Sequence, residues 1–189
     1  RDRSVSRGLG DVYKRQVQST AKILYTIYII LTVVEIIFLL IGKMPLFDTL
    51  CLSFGTAGTG GFGIKNDSIA SYSTYNQVVI TVFMILFGIN FNAYYLLLTK
   101  KVMQAAKNEE VRYYLGIIGL AIVAIAINTR EMFTSFGRAF QQAAFQVGSI
   151  ITTTGYATTD FNVWPVFSKT ILVILMFAVS YTHLRAHET

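Results

Sequence analysis

The chain has 189 residues, of which 53% are hydrophobic and only 14% are charged, and its formal net charge is +6. Soluble domains have about 25% charged residues, so this composition excludes an ordinary soluble fold and indicates a membrane protein. Five basic and two acidic side chains lie in residues 1–16 alone. The remaining positive charge is too small to indicate a nucleic-acid-binding protein.

The two ends of the chain differ in composition from its middle. Residues 1–16 are polar and basic without a helical period, and residues 179–189 interrupt a hydrophobic run. Such abrupt changes are typical of segments left by cloning or sequence assembly, so we interpret both as non-native flanks. A native basic arm is the alternative interpretation of the first flank.

Residues 17–99 are predicted to form one structural unit. Its apolar run 23–42 has 20 residues, enough for a helix that spans a bilayer. The predicted parts are an outer helix (23–42), a short re-entrant pore helix (46–56), a glycine turn (57–63), a polar loop (64–74) and an inner helix (75–99). Pro45 begins the pore helix, and Asp48 lies near the positive end of its dipole.

The connection between units, residues 100–112, contains a dense basic cluster. Its basic residues are Lys100, Lys101, Lys107 and Arg112. Because short loops rich in Lys and Arg favour the cytoplasmic side, the connection is predicted to be cytoplasmic. The glycine turns then open to the outside.

Residues 113–178 repeat the same order of parts. The predicted parts are an outer helix (113–129), a pore helix (134–150), a turn (151–157), a polar loop (158–164) and an inner helix (165–178). The two units align on Gly61 and Gly155, which are 94 residues apart. A repeated unit at a fixed spacing indicates a repeat architecture.

The two turns have the same residue pattern, Thr-x-Gly-aromatic. The first turn is Thr59, Gly60, Gly61 and Phe62, and the second turn is Thr153, Thr154, Gly155 and Tyr156. Irregular backbone at membrane depth has to line a cavity, and glycine accepts the left-handed conformation that points carbonyl groups to one side. We therefore interpret these eight residues as a cation filter, made mainly of carbonyl oxygens. Threonine hydroxyls are expected to add ligands, and Phe62 and Tyr156 to wedge outward and hold the turns.

Two other interpretations of the glycines were weighed. Residues 58–63 fit the dinucleotide pattern G-x-G-x-x-G, but that site needs a helix directly after it and an acid about 20 residues on. A polar loop follows instead, and no acid lies near residue 83. Glycines that only allow helix packing recur at helical spacing within a span, as we expect of Gly116. The clustered turns do not have that spacing.

Few side chains in the chain are suited to catalysis. Cys51 is the single cysteine, which excludes an intrachain disulfide and a thiolate metal cluster. Both histidines, His183 and His187, lie in the second flank, so the middle of the chain has no imidazole base. The sequence therefore predicts that the protein is not an enzyme and has no cofactor.

Several polar or amphipathic residues lie inside the predicted spans or at their ends. Glu35 is ionisable and therefore a functional candidate, although it could instead bond Thr32 or a neighbouring helix. Asn90 and Asn92 are expected to bond between helices. Trp164 is expected at the depth where aromatic residues anchor a helix.

Three strings together resemble a known family. TAGTGGFG, GINFNAYYLLL and ITTTGYATTDF, the last before Trp164-Pro165, are similar to the membrane subunit of the Trk/Ktr/HKT potassium transporters, closest to the TrkH type. The resemblance extends over about residues 20–178. It implies an all-α polytopic membrane protein in which four repeats of a helix, a re-entrant pore helix, a filter turn and a second helix surround one pore. Each repeat supplies one filter glycine, here Gly61 and Gly155.

The resemblance also implies partners and a location. It implies transport of potassium, or of potassium and sodium, across the bilayer of a bacterial cell membrane, by a homodimer with a cytosolic nucleotide-binding regulatory subunit. The chain has two repeats, which look like the second and third of the four. The family's gating loop would begin at about Ala178, where the second flank follows, and its basic residue in the last repeat is absent.

Two alternatives to a potassium pathway stay open. One is a secondary transporter that uses paired re-entrant hairpins for another solute, and the other is a membrane scaffold that transports nothing. Both units begin on the same side of the membrane, which favours a pore over an inverted-repeat transporter.

Overall fold

The computed structural model describes the backbone of residues 2–89, 94 and 109–186, and the side chains of residues 21–89, 94 and 111–177. The helices are α1 (Asp2–Ile41), α2 (Leu46–Ala57), α3 (Thr74–Phe87), α4 (Glu109–Asn128), α5 (Phe136–Ile151) and α6 (Val166–Ala186), with short 3₁₀ helices at Arg130–Met132 and Phe161–Val163. All regular structure in the described ranges is helical, which confirms the all-α prediction. Asn90, Asn92 and residues 100–108 lie outside them.

The helices follow one another in the predicted order, and the division of the chain into two repeated units stays a prediction. Helices α1 to α3 make up the first unit and α4 to α6 the second. Two segments, Ala21–Ile41 and Val111–Asn128, are long and apolar enough to span a membrane. The pore helices α2 and α5 have 12 and 16 residues, fewer than the roughly 20 that a spanning helix needs. Their length fits re-entrant segments.

The two units share a packed interface. Helix α3 of the first unit packs against α5 of the second, as well as against α1 and α2 of its own. Phe145 of α5 and Tyr156 are fully buried in the core cluster of the first unit, beside Leu52 and Met84. The interlocked side chains fix the two turns relative to each other.

Local signals in the sequence set the beginnings of the helices. Pro45 is the N-terminal cap of α2, and Asp48 lies in its first turn, where it accepts a 2.7 Å hydrogen bond from the Tyr72 hydroxyl. Burial, and then the Asp48 carboxylate, raise the pKa of Tyr72, so its hydroxyl stays a donor. Ser73 and Ser135 cap α3 and α5 by accepting backbone N–H groups.

The first inner helix is interrupted at Gly88. We expected one helix over 75–99, but α3 ends at Phe87 and the chain turns at Gly88, and Tyr94 is again helical. The other residues from 90 to 99 lie outside the described ranges. The last carbonyls of α3 are satisfied from outside the helix: Leu86 accepts the Tyr94 hydroxyl at 2.6 Å and Ile85 accepts the Tyr114 hydroxyl at 3.3 Å. These bonds replace the donors that a continued helix would supply.

Two other residues lie in unexpected places. Trp164 is buried in the core between α4, α5 and α6, so it does not face lipid as an anchoring tryptophan does. Gly116 does not pack against the described residues, since a Cβ on it would meet none of their atoms within 4 Å. Helix α1 begins at Asp2 and α6 continues to Ala186, so helical backbone extends into both flanks, whose non-native origin stays a prediction.

We predict that Gly88→Ala destabilises the protein. The added Cβ would lie 2.3 Å from the Tyr114 oxygen and 2.7 Å from a Thr152 methyl carbon, so both side chains would have to move. Overpacking of this kind costs about 1–3 kcal/mol. Thermal unfolding in detergent, followed by the fluorescence of Trp164, measures the loss.

Gly116→Ala is the matched control, because its Cβ enters open space. It should leave the melting temperature unchanged or raise it slightly, since alanine favours a helix. Equal destabilisation by both substitutions would contradict the close packing at Gly88.

Candidate functional site: the paired turns

The first pore helix ends in a left-handed cap. The Thr59 N–H donates to the Thr56 carbonyl at 3.2 Å, and the Gly60 N–H donates to the Gly55 carbonyl at 2.8 Å. This pair of bonds is a Schellman motif, in which a left-handed residue closes the helix and satisfies its last carbonyls. The left-handed residue is Thr59, with φ of 49°.

The second pore helix ends in the same way 94 residues later. The Thr153 N–H donates to the Ile150 carbonyl at 3.0 Å, and the Thr154 N–H donates to the Ser149 carbonyl at 2.9 Å. Thr153 is left-handed, with φ of 56°. The repeat seen in the sequence is therefore also a repeat of backbone hydrogen bonds.

Left-handed residues occupy the first and third positions of each turn. The third positions are Gly61 and Gly155, with φ of 67° and 86°. The expectation that these glycines adopt the left-handed conformation is confirmed. The two turns therefore share one pattern of left-handed backbone. Sequence reasoning missed the left-handed threonines, for which this conformation costs about 1–3 kcal/mol.

The two turns touch through their backbones. A Cβ on Gly61 would lie 2.0 Å from the Thr154 carbonyl oxygen and 3.3 Å from the Gly155 carbonyl carbon. The first turn therefore lies directly against the second, with no side chain between them. A Cβ on Gly155 would meet no described atom within 4 Å, so that edge of the pair is open.

The threonine hydroxyls of the second turn bond to protein groups. The Thr154 hydroxyl pairs with the Thr152 hydroxyl at 2.8 Å, and the Thr153 hydroxyl donates to the Thr152 carbonyl at 2.7 Å. Thr154 is buried, whereas Thr153 and Gly155 are exposed. The hydroxyls of Thr153 and Thr154 are thus already bonded to groups of the protein.

Tyr156 anchors the second turn, as we expected. Its side chain is fully buried, its hydroxyl donates to the Leu52 carbonyl of α2 at 3.2 Å, and its carbonyl accepts the Ser149 hydroxyl at 2.6 Å. Gly55 makes room for it, since a Cβ there would lie 2.2 Å from the tyrosine oxygen. Phe62 is 85% exposed among the described residues, so its expected role in holding the first turn stays a prediction.

The loop that follows the first turn is hydrogen-bonded to the end of the second turn. The Ile69 N–H donates to the Ala157 carbonyl at 3.0 Å, one residue beyond the second turn. The Gln77 amide nitrogen donates to carbonyls of the same loop, among them that of Tyr72 at 3.1 Å, and its oxygen accepts Gln141 of α5 at 2.9 Å. Gln77 was not predicted as a structural residue, because its partners lie far away in the sequence.

The charge distribution at the turns favours a cation bound by oxygen dipoles. The C-terminal ends of both pore helices, which carry partial negative charge, lead into the turns. Among the described residues, no group of three or more His, Cys, Asp or Glu side chains is placed to hold a metal ion. That neutral carbonyl and hydroxyl oxygens bind an ion here stays a prediction; such ligands bind weakly enough to let an ion leave.

Comparison with known proteins places this geometry in a family context. The sequence profile of the family described as TrkH, cation transport protein, matches residues 1–182. The chain is 32% identical over 169 residues to the Trk system potassium uptake protein TrkH of Vibrio parahaemolyticus, covering 86% of this chain and 35% of that protein. It is 28% identical over 166 residues to TrkH of Salmonella typhimurium, covering 86% and 34%.

A solved structure is also similar. The crystal structure of the potassium transporter TrkH from Vibrio parahaemolyticus superposes with a TM-score of 0.77 at 30% sequence identity. The match covers 85% of this chain and 36% of that one. The chain thus spans about a third of the length of these relatives.

The contact between the turns predicts unequal effects of alanine at the two glycines. Both substitutions strain a left-handed residue by about 1–2 kcal/mol, but only Gly61→Ala also drives a methyl group into the Thr154 carbonyl. Gly61→Ala should therefore destabilise the protein by about 1–3 kcal/mol more than Gly155→Ala. Thermal unfolding of the two variants in the same detergent tests this, and equal losses would contradict the backbone contact.

Proposed function

The chain belongs to the TrkH family of cation transport proteins, and on that premise we propose that it forms part of the wall of a potassium pathway. It is an all-helical membrane protein. The first turn (59–62) and the second turn (153–156) are two neighbouring parts of the selectivity filter. Their carbonyl oxygens replace the water that potassium loses on entry.

One observation carries this proposal: the two turns have the same alternating backbone and meet without a side chain between them. Gly61 and Gly155 are left-handed, and Gly61 lies against the Thr154 carbonyl. A packing role for the glycines would not require the same hydrogen bonds at the ends of both pore helices. A carbonyl of the second turn that lies against the backbone of the first turn is what we expect beside a shared ion site.

Two turns cannot encircle an ion, so the pathway needs further turns. The free edge beside Gly155 supports this view, because the described structure leaves the space there empty. If a further turn packed against the second turn as the second packs against the first, one of its carbonyl groups would lie against Gly155. The proposed pathway is complete only when such turns are present.

The parallel order of the two units supports a pore over a secondary transporter. In each unit the chain crosses the membrane in an outer helix, re-enters it in a short pore helix and crosses back in an inner helix. Inverted-repeat transporters relate their halves by an axis in the membrane plane, which reverses that direction.

The setting of the pathway is also proposed. The relatives named above come from bacteria and are called potassium transport proteins, which supports a bacterial cell membrane and potassium as the transported ion. A homodimer and a cytosolic nucleotide-binding regulatory subunit follow from the family resemblance. We propose no catalytic role and no cofactor.

The orientation follows from the basic connection and predicts a labelling pattern. In a Cys51→Ala background, Asn66→Cys in the outer loop should react with a membrane-impermeant thiol reagent in intact cells. Asn108→Cys should react only after the membrane is permeabilised, because residues 100–112 are cytoplasmic. Labelling of Asn108→Cys in intact cells would reverse the orientation.

The filter assignment predicts altered ion selectivity. In a full-length transporter that carries this segment, Gly61→Ser and Gly155→Ser should each lower the preference for potassium over sodium more than they lower protein abundance. The added Cβ disfavours the left-handed backbone by about 1–2 kcal/mol and displaces the carbonyl oxygens. Growth of a potassium-uptake-deficient strain on limiting potassium, with sodium in competition, measures the preference.

Gly116→Ser is the control, since its position faces open space and should leave both ion preference and abundance unchanged. If both filter variants keep wild-type ion preference at normal abundance, the turns have only a structural role.

A further inference from the structure

A closed ring of hydrogen bonds lies beside the end of the second turn. Thr158, two residues beyond that turn, donates its hydroxyl to the side-chain oxygen of Gln142 on α5. The Gln142 amide nitrogen donates to the side-chain oxygen of Gln77 on α3 at 3.4 Å, and the Gln77 amide nitrogen donates to the Ile69 carbonyl at 3.3 Å. The Ile69 N–H then donates to the Ala157 carbonyl at 3.0 Å, next to Thr158. We call these five residues the hydrogen-bond ring.

The side chains of the hydrogen-bond ring are buried and have a fixed direction. Gln77, Gln142 and Thr158 are at most 6% exposed. A glutamine amide donates from its nitrogen and accepts at its oxygen, and both amides of the ring do both. If the Gln77 amide were turned over, its oxygen would face three carbonyl oxygens of the polar loop 64–74, the nearest that of Tyr72 at 3.1 Å, and would be repelled by them. The bonds of the ring therefore allow one arrangement of its amides.

The hydrogen-bond ring holds the chain that leaves the second turn from two sides. On one side, the backbone of Ala157 bonds to the polar loop: its carbonyl accepts the Ile69 N–H, and its N–H donates to the Ser68 hydroxyl at 3.3 Å. On the other side, the Thr158 side chain bonds to α5. The polar loop follows the first turn, and α5 leads into the second turn. The ring therefore fixes the ends of the two turns relative to each other.

The same ring cannot form at the positions 94 residues earlier. Asp48 takes the place of Gln142, and its carboxylate accepts the Tyr72 hydroxyl at 2.7 Å. Ile64 takes the place of Thr158 and has no hydroxyl to donate. The hydrogen-bond ring thus belongs to the contact between the two turns and is not a general feature of a pore helix.

We propose that Gln77 is a positioning residue for the selectivity filter, because it joins α5 to the polar loop within the ring. The ring keeps the second turn at the distance from the first turn at which backbone oxygens of both bind one ion. Selection between potassium and sodium depends on the oxygens that surround the ion, so a second turn that can shift loses this preference. Glu35, the ionisable candidate of the sequence, is not a member of the ring, since neither of its carboxyl oxygens has a hydrogen-bond partner among the described residues. This inference rests on the proposed filter function.

The test uses five variants of a full-length transporter that carries this segment. Gln77→Met and Gln142→Met each remove an amide from the ring and keep the length of the side chain. Thr158→Val removes the hydroxyl and keeps the shape, whereas Thr158→Ser keeps the hydroxyl. Thr81→Val is the matched control, because the Thr81 hydroxyl is also buried but bonds within its own helix, to the Gln77 backbone carbonyl at 2.8 Å.

We expect Gln77→Met, Gln142→Met and Thr158→Val each to lower the preference for rubidium over sodium severalfold in vesicle uptake, at normal abundance. Thr158→Ser should stay within about twofold of the wild type, because its hydroxyl restores the bond to Gln142. Thr81→Val should match the wild type. The double variant Gln77→Met/Thr158→Val should be no worse than the more severe of its two single variants, because both open the same ring.

Three results overturn the inference. Wild-type preference in Gln142→Met and Thr158→Val at normal abundance shows that the ring does not position the filter. An equal loss of preference in Thr158→Ser and Thr158→Val shows that the methyl group matters and the hydrogen bond does not. Failure of Thr158→Val to accumulate, while Thr81→Val accumulates normally, shows that the ring only stabilises the fold.

Gly61→Ser separates this inference from the filter assignment itself. A lower preference in Gly61→Ser, with none in the ring variants, rejects only the role of Gln77. Unchanged preference in Gly61→Ser at normal abundance rejects the filter, and the positioning role with it.

Discussion

The contact of Gly61 with the Thr154 carbonyl is the constraint on which the rest of the structure depends. Two turns from different repeats approach until any side chain would collide, since a Cβ would lie 2.0 Å from that oxygen. Glycine is required there both for its φ of 67° and for its missing side chain. Burial of Phe145 and Tyr156 in the core of the first unit keeps the turns at this distance.

The two units reach the same backbone with different side chains, and the differences have physical causes. The position of Gly55 in the first unit is taken by Ser149 in the second. Gly55 must leave space for the Tyr156 hydroxyl, which enters from the other unit, whereas Ser149 has space for a hydroxyl that bonds the Tyr156 carbonyl. Such asymmetry is expected where two repeated units of one chain pack against each other and only one of them receives an aromatic side chain from the other.

The sequence predicted the features that depend on local chemistry. Pro45 and the repeated glycines placed the pore helices and turns within two residues, because proline at a helix start and glycine at a left-handed position are strong residue preferences. The sequence did not predict the features that depend on residues far away along the chain. Tyr94 and Tyr114 satisfy the carbonyls at the end of α3, and no periodicity reveals those bonds. Packing against α4 and α5 similarly buries Trp164, which hydropathy alone places at the membrane surface.

The central claim is that the first and second turns are adjacent walls of one cation site. The most direct measurement is the anomalous scattering of rubidium in crystals of a full-length transporter that carries this segment. A rubidium peak in contact with backbone oxygens of both 59–62 and 153–156 is predicted, with the peak lost when rubidium is replaced by sodium. Rubidium peaks elsewhere in the pathway, with none touching either turn, would contradict the claim.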